Sequence, residues 1–192
     1  MPPTNDIVIR NLVKKQTDQN PERIFIQQAE DGESLSFKAL YELTNRMGHG
    51  LQSLEVKQGD TVLTMVPARL ESVYLWLGCC NIGSIEVPVN NAYKGNMLSH
   101  IVNDSKAKVM FIDNQFVDRI LKEEDKLEYL ETLVVLRSNE QQRSELRKRS
   151  QLEILLWDDF ISHTKTTETV LSETIAYRDA ACLLYTSGTT GP

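Results

Sequence analysis

The sequence predicts an α/β fold: a mainly parallel sheet with helices on both faces. Three observations predict it. Short apolar runs rich in β-branched residues alternate with segments of helical spacing from residue 61 to residue 161. Turn residues such as Pro67, Gly83 and Pro88 punctuate the alternation. Each gap between runs is long enough for a helical crossover, which parallel neighbours require. In such sheets binding residues gather at the carboxyl ends of the strands.

The elements follow in order. Ile24-Phe25-Ile26 reads as a strand, Asp31-Gly32 as a hairpin turn, and Leu35-Ser36-Phe37 as the returning strand. Ser36 suits a helix N-cap. From Phe37, the apolar residues Leu40, Tyr41, Met47, Leu51 and Leu54 mark an amphipathic helix that ends before Gly59-Asp60. Residues 61–66 form the next strand, stopped by Pro67. Residues 69–81 are apolar nearly all round, as a helix buried on most sides must be, and Gly83 is placed to cap its C-terminus. Strand 85–89, helix 96–103, strand 108–113, short helix 116–121 and strand 132–136 continue the rhythm. Residues 138–151 hold a basic run, Arg143 to Arg149, which reads as a solvated helix or surface loop rather than a patch for acidic partners. Residues 154–157 return to the core, and Asp158-Asp159 begins a short helix. Residues 163–173 are polar and Thr-rich, the composition of an exposed connector, and 180–185 is the last strand.

Bulk composition narrows the function classes. With 27 acidic against 21 basic residues, a net charge of −6 argues against a nucleic-acid binder working by bulk charge. The three cysteines, Cys79, Cys80 and Cys182, form no CxxC pair, so neither a disulfide framework nor a zinc site is expected. Free buried thiols suit a reducing compartment, and the first residues, Met1 to Asp6, have no basic start or apolar core of a secretory signal. The expected location is cytoplasmic, with a peripheral membrane contact left open. His49, His100 and His163 read as core or surface histidines, Tyr74 and Trp76 as core filler, and Asp158-Asp159 as a helix start rather than a metal site. No metal ligands and no catalytic residues are assigned.

The distinctive stretch is the last one. Thr186, Ser187, Gly188, Thr189, Thr190 and Gly191 follow directly on an apolar run. Two glycines let consecutive backbone N–H groups face one concavity, and four hydroxyls surround it. Such a loop can wrap a polyphosphate. It is not a Walker A loop, which needs a lysine at a fixed place. On composition alone, a phosphate cradle and a linker-like tail stay about equal alternatives.

Tyr185-Thr186-Ser187-Gly188-Thr189-Thr190-Gly191 resembles the signature loop of the AMP-forming adenylate synthetases: acyl-CoA ligases, peptide-synthetase adenylation domains and luciferases. That loop normally continues to a Lys-Gly, and this sequence stops before it. Four further stretches resemble the family in its own order. They are Leu35-Ser36-Phe37-Lys38-Ala39-Leu40, Val56-Lys57-Gln58-Gly59-Asp60-Thr61-Val62, Gly83-Ser84-Ile85-Glu86-Val87-Pro88-Val89-Asn90, and Asn103-Asp104-Ser105-Lys106-Ala107-Lys108. The stretch Pro88-Val89-Asn90-Asn91-Ala92-Tyr93-Lys94-Gly95 lacks the Pro-Leu-Asp-Pro of amino-acid-activating domains. It is more similar to bacterial acyl-CoA ligases, including carnitine- or crotonobetaine-CoA ligase-like ones.

The resemblance implies a carboxylic acid substrate, ATP with Mg²⁺, and coenzyme A as acceptor. A carboxylate attacks the α-phosphate, pyrophosphate leaves, and a thiol takes the acyl group from the adenylate. It also implies that Thr186 to Gly191 hold the outer phosphates. Residues 1–192 would be the N-terminal portion of the adenylation domain, cut inside the phosphate loop, and inactive alone. The exposed last strand would then pair with another copy or lose order after Tyr185. The alternatives are an amino-acid adenylation domain, a luciferase-like relative, or a stand-alone binding module.

Overall fold

The computed structural model describes residues 7–186. A five-stranded sheet lies at its centre, in the spatial order β4-β3-β5-β6-β7. Its strands are β3 (Thr61–Met65), β4 (Ile85–Pro88), β5 (Val109–Asp113), β6 (Thr132–Leu136) and β7 (Glu153–Leu156). Every pairing in it is parallel, in the register Leu63↔Met110↔Leu133↔Ile154 across the middle. A separate two-stranded antiparallel hairpin, β1 (Ile24–Gln27) with β2 (Ser34–Ser36), turns at the predicted Asp31-Gly32, where Gly32 has φ +78°.

Side chains alternate across the sheet, and each face has its own helical layer. Leu63, Met65, Met110, Ile112, Leu133 and Val135 point to one side. There they meet α4 (Asn96–Ser105), α5 (Val117–Leu121) and α6 (Glu140–Arg149). Val62, Val109, Phe111, Val134 and Leu136 point to the other, against α2 (Phe37–Ser53), α3 (Leu70–Ile82) and α7 (Trp157–Ser162). A two-residue period is what a pleated strand buried on both faces must show. Phe111 is wholly buried and meets Phe160 edge-on with ring centroids 5.2 Å apart. Burying each such side chain stabilises the fold by about 1.5–3 kcal/mol.

Local chemistry sets the element ends. Ser36 caps α2 by accepting from the Ala39 N–H at 3.2 Å. Gly83 ends α3 in the left-handed region, φ 74°, as predicted. Helices α2 and α3 approach closely at Gly78, where an added Cβ would lie 2.5 Å from the Met47 Cβ. Asp158 and Asp159 occupy the first turn of α7, where the helix dipole favours acids, and Asp159 pairs with Arg143.

Three features depart from the sequence reading. An additional helix, α1 (Ile9–Gln19), precedes the hairpin. It buries no residue fully and carries no side-chain cap; Ile9, Leu12 and Val13 do fall at helical spacing, a short signal that the sequence reading passed over. The connector 163–173 is exposed along most of its length, as expected, but it is also a strap pinned across the helices at Thr169. Thr169 within it is buried, receives an Arg10 Nη2 hydrogen bond on its carbonyl at 2.6 Å, and its hydroxyl accepts from Asn81 Nδ2 at 3.3 Å. His49 Nε2 donates to the Thr167 carbonyl at 2.9 Å and Gln52 to that of Val170 at 2.8 Å. The third departure, the last strand, belongs to the candidate site.

Candidate functional site

The order β4-β3-β5 creates a topological switch point, because the chain leaves β3 first to one side and then to the other. Charged groups meet near the carboxyl ends. Asp113, buried at the end of β5, receives Arg137 Nε at 2.6 Å, and Arg137 Nη1 reaches Glu71 at 3.0 Å. Arg137 adopts a left-handed backbone, φ 54°, just after β6. Arg119 donates to the Asn91 carbonyl and lies 4.8 Å from the Phe116 ring centre. These cations are satisfied by their own neighbours and brace the crevice wall.

Residues 180–186 approach from the rim of the sheet. The predicted strand 180–185 is reduced to a single parallel bridge, Cys182 with Glu86 of β4. Glu86 N–H donates to the Ala181 carbonyl at 3.3 Å, and Leu183 N–H donates to the Glu86 carbonyl at 2.8 Å. Leu184 is 69 % exposed, so nothing described flanks the segment on its outer side. One-sided pairing without burial holds a bridge but not a ladder. The parallel direction carries the segment toward the carboxyl ends of the strands.

Tyr185 then packs its ring on the core under α4, and its hydroxyl donates to Asp104 Oδ2 at 2.6 Å. Burial, followed by the carboxylate of Asp104, pushes the Tyr185 phenol up to about 12, so it remains a donor at physiological pH. Thr186 is exposed at the end of the described chain. The other predicted cradle residues, Ser187, Gly188, Thr189, Thr190 and Gly191, lie outside the described residues, as does the expectation about order beyond Tyr185.

Sequence reasoning passed over Glu86. It sits between Ile85 and Val87, and an acid flanked by apolar residues reads as a solvent-facing strand position. It is 6 % exposed, with Thr64 Oγ1 donating to Oε1 at 2.7 Å and Cys182 Sγ 4.0 Å from Oε2. Burial raises its pKa, and the Thr64 hydrogen bond opposes the rise. Beside it Cys80 is pushed up to about 12, by burial first and by the Glu86 charge second. A thiol held neutral is a poor nucleophile, so Cys80 is core material. The histidines also fall where expected: His49 is half-buried on the strap, while His100 and His163 are exposed.

A match to the family described as AMP-binding enzyme covers residues 13–192. The chain belongs to this AMP-binding enzyme family. It is 27% identical over 173 residues to an acetyl-coenzyme A synthetase of Bacillus subtilis (strain 168), covering 90% of this chain and 28% of the relative. It is 28% identical over 158 residues to the 3-hydroxybenzoate/4-hydroxybenzoate-CoA ligase of Thauera aromatica, covering 82% and 28%. A 26% identity over 189 residues links it to the malpibaldin synthetase of Mortierella alpina, covering 97% of this chain and 3% of that one. Among solved structures, the anthranilate CoA ligase AuaEII superposes with a TM-score of 0.81 at 23% identity, over 95% of this chain and 33% of that one. The chain thus spans about a third or less of the length of these AMP-binding relatives. The shared fold is the front part of the N-terminal domain of adenylate-forming enzymes.

Proposed function

We propose that this chain is the front part of an ATP-dependent ligase that activates a carboxylic acid as its acyl-adenylate, with release of pyrophosphate, and passes the acyl group to coenzyme A. The observation that carries the reading is the signature Tyr185–Gly191 placed directly after a segment bridged in parallel to β4. The described part of that segment, bridged at Cys182, runs parallel to β4, toward the carboxyl ends of the strands, where such sheets bind ligands. Membership of the AMP-binding enzyme family and the similarity to CoA ligases support it.

In this reading Thr186, Ser187, Gly188, Thr189, Thr190 and Gly191 supply donors to the β- and γ-phosphates. Donors fixed in advance around the departing pyrophosphate lower the cost of its developing charge. Mg²⁺ would travel with the nucleotide's phosphates. Among the described residues no group of three His, Cys, Asp or Glu side chains comes together to hold a metal ion. Residues 1–192 alone are expected to be inactive, because the resemblance places the remaining machinery outside them. The buried free thiols Cys79 and Cys80 favour a reducing cytoplasm.

The test is ATP–pyrophosphate exchange by the full gene product with a panel of short, aromatic, long-chain and betaine-like acids. Coenzyme A and a carrier protein then compete as acceptors. Acid-dependent exchange followed by acyl-CoA formation is expected. Exchange that depends on amino acids, or transfer to the carrier alone, would move the assignment to the peptide-synthetase branch. No exchange with any acid would overturn it.

A further inference from the structure

We propose that Tyr185 and Asp104 form a positioning pair that sets where the phosphate loop leaves the sheet. The Asn103-Asp104-Ser105-Lys106-Ala107-Lys108 stretch stood out in the sequence without a task. In the fold it spans the end of α4 and the turn into β5, and Asp104 pairs with none of the charged crevice residues described above. Its Asp104 meets one partner across 81 residues of chain, the Tyr185 hydroxyl, at 2.6 Å.

The need for such a tether follows from the approach. Among the described residues, the backbone between Ala180 and Thr186 is held at Glu86 alone, by the Ala181 and Leu183 hydrogen bonds. Two bonds to one residue fix a point but leave the segment free to pivot about it. Tyr185, two residues farther on, supplies a second point. Its ring rests on the apolar core and its hydroxyl selects one orientation by meeting Asp104. The next residue is Thr186, the first of the proposed cradle. A cradle binds well only if its donors are ordered before the phosphate arrives, since ordering them on binding costs affinity. The pair acts through the loop and touches no reacting atom.

The inference rests on the ligase reading, and the test separates the two. In the full gene product, Tyr185→Phe keeps the ring and removes the hydroxyl, and Asp104→Ala removes the carboxylate that accepts from it. Each is expected to raise KM for MgATP about three- to tenfold, as loss of one hydrogen bond's worth of ordering should. KM for the acid and the melting temperature should hold steady. The double variant should be no worse than the poorer single one, because both remove the same contact. Amide exchange of residues 183–186 should quicken in all three.

Unchanged KM for MgATP with unchanged exchange would overturn the proposal. So would additive losses in the double variant. A uniform rise in both KM values with a lowered melting temperature would also overturn it, as that is mere structural damage. Wild-type protein with no pyrophosphate exchange sinks the ligase reading instead, and unaltered amide exchange in Tyr185→Phe then sinks the tether on its own.

Discussion

Strands β5 and β6 and the segment 180–185 are alike on paper and unlike in the molecule. Val109-Met110-Phe111-Ile112 and Ala181-Cys182-Leu183-Leu184 are both four-residue apolar runs. The first is buried at every position between two paired neighbours; the second holds one bridge and exposes Leu183 and Leu184. Composition gives a segment the capacity to be a strand. Its neighbours on both edges and both faces decide whether it becomes one.

Substitutions can break or sharpen that contrast. The largest effect is expected from Phe111→Ala, which empties the space between Phe160 and Trp157 and should cost about 3–5 kcal/mol in a urea unfolding curve of the full gene product. If it cost no more than a change at Leu184, the contrast would be wrong. Next comes Arg10→Met, which removes the bonds to the Thr169 and Asn81 carbonyls. Two buried acceptors left bare should cost about 1–3 kcal/mol and quicken amide exchange in residues 167–171.

A smaller, pH-dependent effect is expected from Glu86→Gln at the bridge itself. Because burial raises the Glu86 pKa, the folded state holds its proton where the unfolded state has lost it. The protonated form's stability is complete below the ordinary glutamate value, about 4.3, and is lost as pH rises through the raised value. Glutamine keeps the acceptor for Thr64 and abolishes that slope. Unfolding curves at acidic and neutral pH should therefore differ less in the variant than in the wild type. The smallest effect belongs to Leu184→Ser, within about 0.5 kcal/mol, since that side chain is mostly in water already.

The central sheet was legible because its signals are local and periodic. Val62, Leu63 and Met65, with their neighbours in β5 and β6, announce strands whatever surrounds them. Ser36 and Gly83 announced helix ends through backbone chemistry confined to a few residues. The loop Thr186 to Gly191 was legible as a motif, with Thr186 alone among the described residues. What escaped was cooperative over distance. Helix α1 has only a short apolar stripe, Ile9, Leu12 and Val13, and is held by Arg10, whose partners lie 71 and 159 residues away. Thr169 looked like linker because its burial depends on Asn81 and Arg10 meeting it. Glu86 drew no notice because its cover, Cys182, arrives 96 residues later.

The guanidinium of Arg10 has a consequence for the order of assembly. It joins the first helix to a strap that is synthesised after every helix and every strand of the central sheet, and Asn81 of α3 lies between them. The knot cannot close until three helices are already docked, so it contributes nothing to the early nucleus and its closure must be late. Trimming the first helix would therefore loosen a stretch of chain far downstream while leaving the central strands to fold at their usual pace.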